Sequence, residues 1–153
     1  MQHSSKFYGV IQTVLFCMYA AAVFFGPGRP LLFTGKILRP IGALVCLAGL
    51  VLLFAAIRRL GQAIQVAPAP KQDATLVTTG IYRWFRHPIY TAIVMIVIGL
   101  FLRTPTIFVG GATAIVIGFL AVKVRLEETL LLAHYPEYAE YKRRSWGLVP
   151  WPR

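Results

Sequence analysis

Acidic side chains are scarce in this 153-residue chain: five Asp and Glu stand against 16 Lys and Arg, a net charge of +11. Charged residues of either sign make up 14% of the chain, hydrophobic residues 58%, and the mean hydropathy is +0.67. A soluble domain sits nearer half apolar, so this balance points to an integral membrane protein. Cysteine is almost missing. Cys17 and Cys46 both lie inside apolar runs, so they read as small packing residues and imply no disulfide or thiolate metal site. No HExxH, phosphate-loop, GxGxxG or paired-cysteine motif occurs, and no metal is expected. Nucleic acid is not an expected partner, because the cations flank apolar runs and form no separate basic face.

Four apolar runs are present. Phe7 to Phe25 has 19 residues and ends at Gly26-Pro27-Gly28, a helix stop. A helix of that length spans about 28 Å, the thickness of a bilayer core. A secretory signal is the rival reading of Ala20-Ala21-Ala22, but the run is long for one and bulky Val23-Phe24-Phe25 follows at once. Ile37 to Ile57 is the second run, with Gly42, Cys46 and Gly49 making a smooth face for close helix approach. The third, Pro88 to Leu102, and the fourth, Ile107 to Val122, have 15 and 16 residues and read as a short helical hairpin. Lys123 and Arg125 can snorkel, so the fourth helix is expected to extend into the interface. Glu127 to His134 continue its pattern until Tyr135-Pro136 breaks it, and Pro136 to Arg144 is expected to restart a helix. The fold expected is all-α and polytopic, about four membrane helices in one domain over 1–153. The loop before the third helix needs burial for Leu76, Val77, Ile81 and Trp84.

With four spans, both termini and the long loop share one side. That side holds 12 Lys and Arg and the other four, which puts the termini in the cytoplasm.

The polar chemistry collects at two places. Gly80 to Tyr90 reads GIYRWFRHPIY, at the mouth of the third run. Pro88 suits the first position of a helix, which places His87 at its cap and Tyr90 near the same face one turn on. The amides at such a helix start have no internal partner and favour anions. The second place is Glu127-Glu128. Adjacent carboxylates repel unless a cation or donor sits between them, and Arg125 is the nearest candidate. Interfacial anchoring and a solvated helix end are the alternatives at these two places. Tyr135, Tyr138 and Tyr141 recur every three residues, as a packing stripe or a cation cage.

LVTTGIYRWFRHPIY, then EE some forty residues later, then EYAEYKRR and LVPW together resemble the isoprenylcysteine carboxyl methyltransferase family, within a wider group that includes phospholipid methyltransferases. The resemblance covers roughly Leu60 to Trp151. The family's usual glycine before EYxEY is replaced here by Tyr135-Pro136. The resemblance implies S-adenosylmethionine as cofactor, held by a cytoplasmic loop and the C-terminal tail. Its pocket would be lined by Ala74, Thr75, Leu76, Val77, Tyr82, His87, Pro88, Ile89 and Tyr90, with Glu127 or Glu128 completing it. Arg125, or else Lys123, would meet the methyl-accepting group, and Arg125 and Glu128 are the expected catalytic residues. The expected function is methyl transfer to a lipophilic acceptor in the bilayer, a carboxylate before an amine. The rivals are a phospholipid or amine N-methyltransferase, a sterol-reductase-like enzyme using NADPH, and a membrane scaffold.

Overall fold

A computed structural model describes residues 2–28, 37–64 and 76–148. It contains helices α1 (Gln2–Phe25), α2 (Leu38–Ile64), α3 (Pro88–Arg103), α4 (Ile107–His134) and α5 (Tyr138–Arg144), with a 3-10 turn at Gly80–Arg83. There is no strand among the described residues. Three helices are long and apolar enough to cross a bilayer, in α1, α2 and α4. At 16 residues, α3 is shorter. The hairpin expected of the third and fourth runs is therefore uneven: α4 carries on for 28 residues, through the charged segment to His134.

Each break has a local cause. The first helix stops where Gly26 N–H still reaches the Ala22 carbonyl at 3.1 Å and Pro27 has no amide to continue the ladder. Between α3 and α4 the chain turns through Thr104 and Pro105, and the Thr106 hydroxyl caps α4 by accepting from Val109 N–H at 3.3 Å. At the far end of α4, Tyr138 N–H donates to the Tyr135 carbonyl at 3.0 Å, so Pro136 and Glu137 are the centre of a turn. The restart expected at Pro136 comes two residues later, at Tyr138. Gly80 has φ of 64°, a left-handed conformation, and starts the 3-10 turn.

The tightest seam joins α2 to α3. A Cβ on Gly99 would stand 2.6 Å from Cys46 Sγ and 2.7 Å from the Gly42 carbonyl oxygen; one on Gly42 would stand 2.5 Å from the Gly99 carbonyl oxygen. Only hydrogen fits there, so the backbones touch as in small-residue membrane packing. The buried core lies between α1, α3 and α4, in Tyr19, Val94, Val97, Val109, Val116 and Leu120. Tyr19 ties the three helices: its hydroxyl donates to the Val97 carbonyl at 2.8 Å and accepts from Thr113 at 3.4 Å.

Candidate functional site

The site is built at the end of the bundle where α3 begins and α4 emerges. His87 is the N-cap residue of α3 and Pro88 its first residue, as the sequence suggests, and both are buried. Proline at that position needs no hydrogen bond and fixes the helical φ, so His87 is aimed by a rigid helix start. Its ring stacks on Tyr90, 5.8 Å between centroids. Facing them across the bundle are Glu127 and Glu128. The Tyr90 hydroxyl donates to Glu127 Oε1 at 2.7 Å. His87 Nδ1 lies 3.8 Å from Glu127 Oε2, and Nε2 lies 3.4 Å from Glu128 Oε1. Two distant pieces of chain thus meet in one polar row.

Two carboxylates can share this space because cations surround them. Arg86 Nε donates to Glu128 Oε1 at 2.8 Å, and Lys142 Nζ lies 2.7 Å from Glu128 Oε2. Glu128 itself is buried. Charge-assisted contacts of this length offset the cost of taking a carboxylate out of water. Lys123 Nζ, one turn before Glu127, lies 3.9 Å from its Oε1 and 5.2 Å from the centre of the Tyr90 ring. Arg125 is exposed and does not join this row. The compensation expected from Arg125 comes from Arg86 and Lys142 at Glu128 and from Lys123 at Glu127, while Arg125 stays exposed one turn before the buried Glu128.

The last helix and the segment after it close this end. The Arg86 guanidinium donates to the Lys142 carbonyl at 2.8 Å and to the Ser145 carbonyl, capping the C-terminus of α5. Arg86 N–H donates to the Trp146 carbonyl and Trp146 N–H to the Trp84 carbonyl, each at 2.8 Å. Thr91 Oγ1 donates to the Leu148 carbonyl at 2.9 Å. The tyrosine stripe divides. Tyr138 and Tyr141 are buried, while Tyr135 is half-buried against the His134 ring. Tyr141 donates to the Tyr82 carbonyl at 2.6 Å, and burial pushes its phenol up to about 12, so it stays a donor.

The buried polar atoms with no hydrogen-bond partner among the described residues include Nε2 of His87 and the hydroxyl of Tyr138. Burial pushes the Tyr138 phenol up, and the nearby Glu128 carboxylate adds to this. Unsatisfied buried groups of this kind mark a place where a polar ligand can bind.

The other expected lining residues precede this row in the chain or open α3. Tyr82 is buried, Ile89 half-buried in the first turn of α3, and Leu76 and Val77 half-buried ahead of the 3-10 turn. Ala74 and Thr75 lie outside the described residues. Trp84, expected to be buried, is 54% exposed; it sits beside Trp146, 6.1 Å between rings, with the Arg83 guanidinium over its face. That is the arrangement of an interfacial anchor. The sequence brings Arg83 and Arg86 toward the start of α3 from the loop, and Arg86 is there, paired with Glu128; Lys142 and Tyr138 were not expected at the site. Lys142 follows Tyr138 by one helical turn, which puts both on one face, and that spacing was the available signal. Among the described residues no three or more His, Cys, Asp or Glu form a group that could hold a metal ion.

A model of the phospholipid methyltransferase family matches residues 38–138. The chain is 30% identical over 131 residues to the cobalt-zinc-cadmium resistance protein CzcN of Cupriavidus metallidurans, covering 85% of this chain and 57% of that protein. It is 29% identical over 109 residues to the nickel-cobalt-cadmium resistance protein NccN of Alcaligenes xylosoxydans xylosoxydans, covering 71% of this chain and 50% of that one. The chain therefore spans about half the length of these relatives. A solved structure of the eukaryotic intramembrane Ras methyltransferase ICMT, an isoprenylcysteine carboxyl methyltransferase, superposes with a TM-score of 0.63 at 26% identity, over 99% of this chain and 54% of that one.

Proposed function

The chain belongs to the phospholipid methyltransferase family, and from that premise we propose that it transfers a methyl group from S-adenosylmethionine to a lipophilic acceptor at the membrane. The observation that carries this reading is the meeting of the α3 start with the two glutamates of α4: His87 Nε2 at 3.4 Å from Glu128 Oε1, buried and without a hydrogen-bond partner among the described residues.

The residues fit the cofactor. When bound, S-adenosylmethionine supplies an electrophilic methyl on a cationic sulfonium. The carboxylates of Glu127 and Glu128 suit that cation and the ribose hydroxyls, and the Tyr90 ring adds a π face. The start of α3 suits the methionyl carboxylate. His87 Nε2, whose contact to Glu128 Oε1 is a long 3.4 Å, and the Tyr138 hydroxyl are buried groups that polar atoms of the ligand can engage. Leu76, Val77, Tyr82, Pro88 and Ile89, with Ala74 and Thr75, make up the rest of the proposed wall. Methyl transfer needs little acid–base help, so alignment of two reactants in a dry site supplies most of the rate gain. A carboxylate acceptor is favoured, because Lys123 in the row, or Arg125 from the exposed side of α4, can neutralise and orient it. Residues 1–153 form the proposed domain, with the motif-bearing core at 60–151. Both termini are assigned to the cytoplasm, on the side richer in basic residues.

A second reading is methylation of a phospholipid at an amine head group; the family description names the lipid and not the atom methylated. There Glu127 or Glu128 would accept the proton. Equilibrium binding of labelled S-adenosylmethionine to the purified protein tests the shared claim. Binding that weakens about a hundredfold in His87→Ala and in Glu128→Ala is expected, since each variant strands a charged or polar partner. Binding of NADPH with no binding of S-adenosylmethionine would sink the reading in favour of a reductase, and binding of neither in favour of a scaffold. Methyl label transferred to membranes and released by mild base identifies a carboxyl ester; label that resists base identifies an amine.

A further inference from the structure

The family match begins at residue 38, so α1 lies outside it, yet α1 reaches the polar row. Gln12 Oε1 accepts from Lys123 Nζ at 2.6 Å. An ammonium has three donors. Gln12 takes one, Glu127 at 3.9 Å is too far to take another, and the Tyr90 ring lies beside the charge. Lys123 thus keeps donor capacity for an anion, and a carboxylate has two oxygens to accept it.

Further along the same two helices lies a groove of about 350 Å³. Leu15, Met18 and Ala22 line it from α1, and Gly111, Ala112 and Val116 from α4. The volume falls in the range of small-molecule sites. Its alignment is set by helix periodicity. Gln12, Leu15, Tyr19 and Ala22 recur at three and four residues along α1, and Ala112, Val116, Phe119 and Lys123 do so along α4. The lysine and the groove therefore share one seam. Leu15 lies about 4.5 Å along α1 from Gln12 and Val116 about 10.5 Å along α4 from Lys123, so the groove begins within the reach of one hydrocarbon chain from the head contact.

Resting on the methyltransferase reading, we propose that the α1–α4 seam seats the hydrocarbon chain of the acceptor, a single-chain amphiphile whose anionic head meets Lys123 and Gln12. The acceptor end of the row is then at α1, and the His87–Glu128 end is left for the cofactor. The size of the groove argues for this occupant over a bilayer phospholipid: about 350 Å³ is room for one hydrocarbon chain and not for two.

A 16-carbon fatty acid bearing a diazirine, and the matching alcohol, provide the test. Each is photolysed with the full chain in phosphatidylcholine vesicles, and adducts are mapped by mass spectrometry. Saturable labelling by the acid is expected at the groove residues of α1 and α4. Gly111→Leu should cut it about tenfold by filling the groove, and Lys123→Gln should cut acid labelling about tenfold while leaving the alcohol unchanged. A Cβ at Gly111 meets nothing within 4 Å, so a leucine there has open space to enter. Non-saturable labelling spread over the lipid-facing residues of α2, or labelling indifferent to both variants, overturns the proposal. Binding of S-adenosylmethionine is measured on the same samples. Normal cofactor binding with no groove labelling removes the seam and keeps the methyltransferase; groove labelling with no cofactor binding does the reverse.

Discussion

Between α2 and α3 a glycine faces a thiol and a carbonyl with no room to spare; between α1 and α4 a glycine faces open space. At Gly99 an added Cβ would come within 2.8 Å of three atoms, while at Gly111 it would meet nothing within 4 Å. Lipid tails are as apolar as the side chains they replace, so close backbone packing, not hydrophobicity, holds one membrane helix to another. The α2–α3 seam uses that fully and makes a fixed support for the start of α3. The α1–α4 seam uses it less and is clasped by polar contacts, Gln12 to Lys123 and Tyr19 to Val97 and Thr113. A seam held at points can leave a groove between them.

The contrast can be broken by substitution. The largest effect is expected from Gly99→Ala, which overpacks the closed seam against backbone and should cost about 3 kcal/mol, read as a lower unfolding midpoint in mixed micelles. A midpoint equal to the wild type would mean that the seam is not closed. Gly111→Ala should do the opposite, gaining up to about 1 kcal/mol in the same assay, because alanine favours helix and nothing crowds it. Loss of stability there would show the open seam to be filled. The smallest effect is expected from Tyr19→Phe, about 0.6 kcal/mol, the usual worth of one hydrogen bond between membrane helices. A cost several times larger would make the clasp the main support of α1.

Much of this was written in the chain. Glycine and proline punctuated the helices because each acts on its own backbone, as at Gly26-Pro27 and Pro88. The pairing of His87 with a capping proline was legible for the same reason. The partner of Glu128 was not. Arg125 is three residues away along the chain but exposed, whereas Arg86 is 42 residues away and 2.8 Å distant. Lys142 comes from a helix that a turn through Pro136 folds back over the site. Trp84 read as core by its size, yet its place beside Arg83 and Trp146 at the polar end leaves it half in solvent.

Composition and periodicity by themselves determined that this chain enters a membrane as helices and that its polar chemistry gathers at helix ends, because both follow from local solvation and from backbone groups satisfied within one segment. Which cation meets which carboxylate, which glycine is crowded and which is free, and how α1 joins the polar row were decided by the tertiary structure alone. Those outcomes depend on distances between segments far apart in sequence, and a charge or a gap has meaning only relative to what the fold places beside it.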